Sequence, residues 1–302
     1  MTRPSLSDLL KAPRPILIDG AVGTELGRRG VHTTLPLWSA HALVSDHGLG
    51  VLRGIHSDYA RAGADILVTN TFRTTLRCLG RAGRGEQWRL LNRRAVDAAR
   101  AGASAAAGRP CLVAGGIAPL EDCYRPDLVP PDDECRAEHR RQADLLAGLG
   151  VDLVIVETMN SRREAEAALV AARDTGLDVV LSLCPRPPGH LLSGEPLGDA
   201  VPALLDAGGP RLRAVLLNCA PPEVLEEVYP RLIPLVGDRP HGLYAHLGHP
   251  DEATGWKLPE KHEPDGYALW VADRLRQGAR LVGGCCGTTP DHIAALSRLI
   301  PP

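Results

Sequence analysis

Two adjacent cysteines set in glycines, Gly283-Gly284-Cys285-Cys286-Gly287-Thr288-Thr289-Pro290, are the residues of this chain whose type and spacing point most directly to chemistry. Neighbouring Cα atoms lie about 3.8 Å apart across a trans peptide, below the roughly 4.4–6.8 Å of ordinary disulfides, so the pair is badly placed to bond to itself. A bend in flexible glycines can instead aim both sulfurs at one metal ion. The doublet lacks the spacing of a structural zinc knuckle, so further ligands must come from elsewhere, and Cys219 in Leu217-Asn218-Cys219 is the natural third. The alternative for such cysteines is small, buried packing residues. Soft thiolates select zinc over magnesium or calcium. Three of them leave a fourth position open and make the centre electron-rich, a poor source of hydroxide. Such a centre is better suited to holding another thiol and displacing its proton. A free thiol has a pKa of about 8.5 and is mostly protonated at neutral pH, so coordination supplies the nucleophile. The matching reaction is in-line attack on an activated methyl group.

Something must carry these residues to one place. Eight short apolar runs punctuate the chain, at 16–20, 64–70, 111–116, 151–158, 178–184, 214–220, 242–247 and 281–286. Most are continuous in Val, Ile and Leu rather than alternating, as in parallel strands covered on both faces. Helical patterns lie between them, among them 137–150 and 161–175, the second with Ser161 as N-cap and Gly176 as stop. Eight strand–helix repeats in 302 residues predict a single (β/α)8 TIM barrel spanning 1–302. A doubly wound open sheet is the competing architecture, but Gly20-Ala21-Val22-Gly23-Thr24 does not fit its dinucleotide fingerprint. The segments 124–133 and 248–266 read as long loops that wall one face. Asp19, Asn70, Glu157, Cys184, Asn218, Cys219, His246, Cys285 and Cys286 all fall at the C-terminal ends of the runs. In a barrel those ends share one mouth, where active sites are built. Cys78, Cys111, Cys123, Cys135 and Cys184 read as packing residues, although Cys184 is near enough to line that mouth.

The bulk composition narrows the partners. With 34 basic and 36 acidic residues interspersed, a net charge of −2 gives no electrostatic case for nucleic acid or an anionic membrane. The first fifteen residues lack the apolar core of a signal peptide, and no later run is long enough to span a bilayer. A soluble cytoplasmic protein is expected, in which eight cysteines stay reduced.

The segments IDGAVGTELGRRG (18–30), HSDYARAGADILVTNTF (56–72), GVDLVIVET (150–158), LLNCAPP (216–222) and GGCCGTTPDHI (283–293) resemble the homocysteine S-methyltransferase family, in order and over essentially the whole chain. That family includes S-methylmethionine- and betaine-dependent enzymes and the homocysteine domain of cobalamin-dependent methionine synthase. The resemblance implies a (β/α)8 barrel with Zn2+ held by Cys219, Cys285 and Cys286. It also implies that Asp19 and Glu157 hold the amino group of homocysteine and that the backbone of the turn Gly20–Thr24, including Ala21, receives its carboxylate. Carboxylates do attract an ammonium, and N–H groups opening a helix attract anions. Otherwise Asp19 is a loop cap and Glu157 half of a buried ion pair. Asn218 and Asn70 are candidate substrate contacts, Asn70 either orienting substrate or satisfying loop backbone.

One departure matters. Many members carry Tyr-Pro-Asn or Tyr-Ala-Asn at the seventh strand end, where this chain reads Tyr244-Ala245-His246. His246 then becomes a fourth zinc ligand that homocysteine must displace, or a permanent one that closes the site and leaves a non-catalytic zinc barrel. LPLWSAHALV (35–44) resembles a segment of members that use S-methylmethionine or S-adenosylmethionine, and Trp38 is either a stacking surface for the donor cation or a packing residue. The acceptor may be read as homocysteine or as another small thiol or selenol. No cobalamin- or folate-binding region is attached, which leaves a separate corrinoid protein as another route for the methyl group.

Overall fold

The eight apolar runs become eight parallel strands in a computed structural model that describes residues 5–106, 108–109, 111–251, 255–257 and 263–300. They are β1 (Ile16–Leu17), β2 (Ile66–Val68), β3 (Leu112–Ile117), β4 (Leu153–Met159), β5 (Val179–Leu183), β6 (Leu212–Asn218), β7 (His241–Tyr244) and β8 (Leu281–Val282). Their spatial order is β1-β8-β7-β6-β5-β4-β3-β2, every neighbouring pair parallel. The remaining seam closes by a parallel bridge between Ile18 and Ile66, with the Asp19 N–H donating to Ile66 O at 2.9 Å and the Asp65 N–H to Leu17 O at 2.7 Å. The result is a (β/α)8 barrel, not an open sheet.

The hydrophobic pattern explains the two layers. Within each strand one set of side chains enters the barrel: Ile16 and Ile18, Ile66, Leu112 and Ala114, Leu153 and Ile155, Val180, Ala214 and Leu216, Leu281. The alternate set, such as Leu17, Leu67, Val113, Val154 and Leu217, packs outward against the helices. Strands covered on both faces need apolar residues at every position, which is why the runs are continuous. The covering helices are α1 (Asp46–Ala62), α2 (Trp88–Ala103), α3 (Asp132–Gly148), α4 (Arg162–Arg173), α5 (Leu197–Gly208), α6 (Pro222–Val236), α7 (Pro264–Arg276) and α8 (Pro290–Leu299). A short helix before β1, Leu6–Lys11, is fixed by a capping box between Ser5 and Asp8. Its Leu6 joins the interior cluster. The backbone after it is held by Arg280, which precedes β8, and Ser7 reaches Asp178, which precedes β5. This helix therefore stops the barrel at the N-terminal ends of the strands. At one contact β7 and β8 approach so closely that a Cβ on Gly242 would lie 1.8 Å from Leu281 O.

Two local expectations change in detail. Ser161 occupies the N-cap of α4, but its hydroxyl makes no capping bond; the Arg162 N–H is instead taken by Glu195 Oε2 at 2.8 Å. Helix α3 starts at Asp132 rather than 137, because Asp132, Asp133 and Glu134 fill its first turn with charges that favour a helix N-terminus. The loop at 248–266 contains a small hairpin, His249–Asp251 with Gly255–Lys257, while residues 252–254 and 258–262 lie outside the described residues. Among the described residues no helix is long and apolar enough to cross a membrane.

Candidate active site

Each apolar run outlasts its strand, and the excess forms the mouth. Strand β6 ends at Asn218, and Cys219 follows in the left-handed region at φ 55°. Strand β4 passes Glu157 and turns left-handed at Thr158, φ 61°. A side chain other than glycine is uncommon there, and paired kinks at a mouth mark a backbone held to aim side chains. Asn218 holds both. Its Oδ1 accepts from the Thr158 N–H at 3.1 Å and the Ser182 hydroxyl at 2.7 Å, and its Nδ2 donates to Thr158 Oγ1 at 2.8 Å. Asn218 is fully buried, so its polar atoms face β4 and β5 rather than the cavity.

The cysteine doublet is sewn to both neighbouring strand ends. The Gly284 N–H donates to Asp19 O at 3.1 Å, the Cys285 N–H to Ala245 O at 2.9 Å, and Leu247 N–H to Cys286 O at 2.7 Å. Thr288, which sequence reasoning passed over, accepts from the Ala21 N–H at 3.2 Å and donates to Cys285 O at 2.8 Å. Any Cβ on Gly284 would stand 2.2 Å from that Thr288 oxygen, so the position takes only glycine. Thr24 performs a similar task, its hydroxyl accepting from the Gly287 N–H at 3.0 Å.

These constraints bring three sulfurs together. The Sγ atoms of Cys219, Cys285 and Cys286 all lie within 4.8 Å of one another, and Cys219 and Cys285 are 3.2 Å apart. Hydrogen bonds from Cys285 and Cys286 hold the Cys219 thiol well below its ordinary range. The same contacts with Cys219 push Cys285 and Cys286 well above theirs. A cation among the three would favour the thiolate form of all of them. A soft trio aimed at one point, with no carboxylate in it, fits a thiophilic metal ion. His246 lies beside this group, not within it. Its Nδ1 is 3.4 Å from the Tyr124 hydroxyl, which itself lies 3.5 Å from Cys219 Sγ, and its ring packs edge-on against Trp256.

The sulfurs open into a cavity of about 490 Å³. Asp19, Gly20, Ala21, Asn70 and Glu157 from the expected set line it; Thr24, Asn218 and His246 do not. Burial, reinforced by Glu157 nearby, holds the Asp19 carboxyl well above the usual range although it accepts from the Val68 N–H at 3.0 Å. Burial and the Cys219 charge push Glu157 up to about 8. Among the described residues neither carboxylate is paired with a lysine or arginine, so a buried ion pair does not describe Glu157 there. The imidazole near Asp19, His56 Nδ1 at 4.0 Å, is held down to about 4 by burial and is neutral. A buried and a part-buried acid with no such counter-ion can receive a cationic group. Beside them the helix Gly23–Arg28 opens at Val22 with no side-chain cap, leaving its first N–H groups for an acceptor. Asn70 spends its amide on Ser39 O at 2.9 Å, satisfying loop backbone while it lines the wall.

A family model described as homocysteine S-methyltransferase matches residues 16–300. The chain belongs to the homocysteine S-methyltransferase family. It is a methyltransferase. The homocysteine S-methyltransferase of Escherichia coli is 35% identical over 315 residues, covering 96% of this chain and 97% of that protein. A selenocysteine methyltransferase of Astragalus bisulcatus is 28% identical, covering 99% and 97%. The crystal structure of the E. coli homocysteine methyltransferase MmuM in its metallated form superposes with a TM-score of 0.81 at 33% identity, covering 97% of this chain and 99% of that one. As a family member the chain is an enzyme, which sets aside the non-catalytic zinc barrel.

The segments 124–133 and 248–266 do wall the cavity, through Tyr124, Arg125 and Trp256. Sequence reasoning missed Asp122 and Arg73, which line it from the loops after β3 and β2, with Cys123 beside them. Cys184 reaches the back of the site, its thiol 3.6 Å from Cys219 O. The signal for Asp122 was the unusual length of the loop after β3. Trp38 packs edge-on to Phe72 with ring centres 6.2 Å apart, and both line the cavity.

Proposed function

We propose that this enzyme, in the reducing cytoplasm, transfers a methyl group to the sulfur of homocysteine to give methionine, with zinc held by Cys219, Cys285 and Cys286 and a sulfonium, S-methylmethionine or S-adenosylmethionine, as donor. The observation that carries this reading is the sharing of one cavity by three convergent sulfurs and two carboxylates, buried Asp19 and part-buried Glu157, that pair with no lysine or arginine among the described residues. Zinc bound there would let the acceptor sulfur persist as a thiolate at neutral pH. The protein's part is orientation. Asp19 and Glu157 take the ammonium, and the N–H groups of the turn Gly20–Thr24 other than that of Ala21, which Thr288 holds, take the carboxylate, so that the short side chain points its sulfur toward the cysteines. A donor methyl carbon is then attacked in line. The new S–C bond forms as the donor S–C bond breaks, the electron pair stays on the donor sulfur, and the acceptor's thiol proton leaves to solvent.

The test is zinc content measured with methionine formation from homocysteine, offering S-methylmethionine, S-adenosylmethionine and betaine in turn. About one zinc per chain, with turnover on one sulfonium donor, is the expected result. Zinc-free reduced protein that turns over normally sinks the metal role. Failure of every small donor moves the methyl source to a separate corrinoid protein. A small selenol is the second acceptor reading, favoured by the relative named as a selenocysteine methyltransferase; selenocysteine offered against homocysteine decides it.

His246 supplies a displaceable fourth donor in this reading, and its ring already hydrogen-bonds the Cys219 thiol. In His246→Asn, X-ray absorption of the zinc-loaded, substrate-free enzyme is expected to lose one nitrogen scatterer. Unchanged coordination removes His246 from the ligand set.

A further inference from the structure

Arg73 faces the same cavity as the sulfurs and has no carboxylate partner among the described residues. Its Nε is buried without a hydrogen-bond acceptor, its Nη1 makes a long 3.4 Å contact to Glu121 O, and its guanidinium stands over the Phe72 ring at 5.8 Å. The contrast with its neighbours is informative. Arg77 and Arg81 both pair with Glu121, and Arg125, the other cation on the cavity wall, pairs with Asp127 at 2.6 Å. Asp122 lines the cavity too. It accepts the Tyr124 N–H at 2.9 Å and forms no ion pair among the described residues. A guanidinium and a carboxylate that line one cavity without being spent on each other complement a molecule carrying both opposite charges. The indole of Trp38 in the same cavity suits a sulfonium.

We propose that Arg73 and Asp122 form a second amino-acid seat, reserved for the methyl donor: Arg73 takes its α-carboxylate and Asp122 its ammonium. The proposal rests on the methyl-transfer reading above and narrows the donor to an α-amino acid that carries a methylated sulfonium. Betaine, with a carboxylate but no N–H to give, satisfies only half of the seat. Homocysteine does not compete for it, because Asp19 and Glu157 hold the acceptor's head.

The experiment uses the full-length, zinc-loaded enzyme and separates donor from acceptor kinetics. Arg73→Gln is expected to raise KM for S-methylmethionine about ten- to a hundredfold and to change KM for homocysteine by less than about twofold. Asp122→Asn follows the same pattern, and Arg73→Lys restores part of the loss. Trimethylsulfonium, which has no amino-acid head, should turn over equally slowly in all of them. Unchanged donor KM in Arg73→Gln and Asp122→Asn overturns the proposal. So does an equal rise in KM for homocysteine, or an equal loss with trimethylsulfonium, because each marks a general distortion. If the wild type turns over no donor, calorimetry with S-methylmethionine still decides. Tighter binding by the wild type than by Arg73→Gln keeps the seat while removing methyl transfer, and equal binding removes the seat.

Discussion

Cys219→Ser is expected to lose the metal and at least about a thousandfold in kcat/KM while the barrel stays folded. The side chain is nearly isosteric and sits at a strand end, not in either apolar layer, so the fold has little reason to respond. The site does. Cys219 is the member of the trio held low by Cys285 and Cys286, and it is the one sulfur supplied from outside the glycine-rich loop. A serine hydroxyl is a hard, protonated ligand at neutral pH, and two adjacent cysteines alone bind a soft cation poorly. Metal analysis after dialysis, circular dichroism and methionine formation measure the three parts of the claim. A variant that retained zinc and activity would remove Cys219 from the centre.

Glu157→Gln is expected to move function and stability in opposite directions. For function, the ammonium of the acceptor loses one of its two carboxylates, and KM for homocysteine should rise about ten- to a hundredfold. Stability follows from proton linkage. In the folded enzyme Glu157 keeps its proton up to about 8, whereas in the unfolded chain it gives it up near 4.5. Folding therefore takes up a proton between those values, and the stability associated with Glu157 is present below about 4.5 and lost as pH rises through about 8. Glutamine has no proton to lose. The ligand-free variant should be more stable than the wild type at pH 8, by about 1–2 kcal/mol once screening by cavity water is allowed for. Denaturant unfolding across pH 5–9 reads the slope, and its persistence in the variant would assign it to another group. The same proton should appear in binding: homocysteine releases more protons at pH 7 from the wild type than from Glu157→Gln, measured by calorimetry in two buffers.

The barrel was legible because its strands are buried on both faces. Continuous runs such as LVIV at 153–156 suit strands covered on both faces, and eight of them alternating with helices match a closed barrel. The three cysteines were legible because a Gly-Gly-Cys-Cys-Gly run serves no packing purpose. The direction in which a side chain leaves a kinked strand end was not. Asn218 occupies a mouth position in sequence, yet its amide turns into the wall, where it clasps the left-handed turn at Thr158 and the Ser182 hydroxyl. Thr24 likewise holds the cysteine loop through Gly287 instead of facing the cavity. Arg73 and Asp122 could not be singled out among 34 basic and 36 acidic residues, because what marks them is the partner each lacks.

The helix Leu6–Lys11 that stops the far end of the barrel has a kinetic meaning. Among the described residues, side chains fill the interior below the cysteines, so the cavity opens at the mouth. Leu35, which is 53% exposed, and Arg125 are also on its wall. If the acceptor binds at the sulfurs and Glu157 as proposed, a donor that arrived first would stand in its way. Ordered loading, acceptor then donor, is the kinetic pattern that the proposed reading predicts.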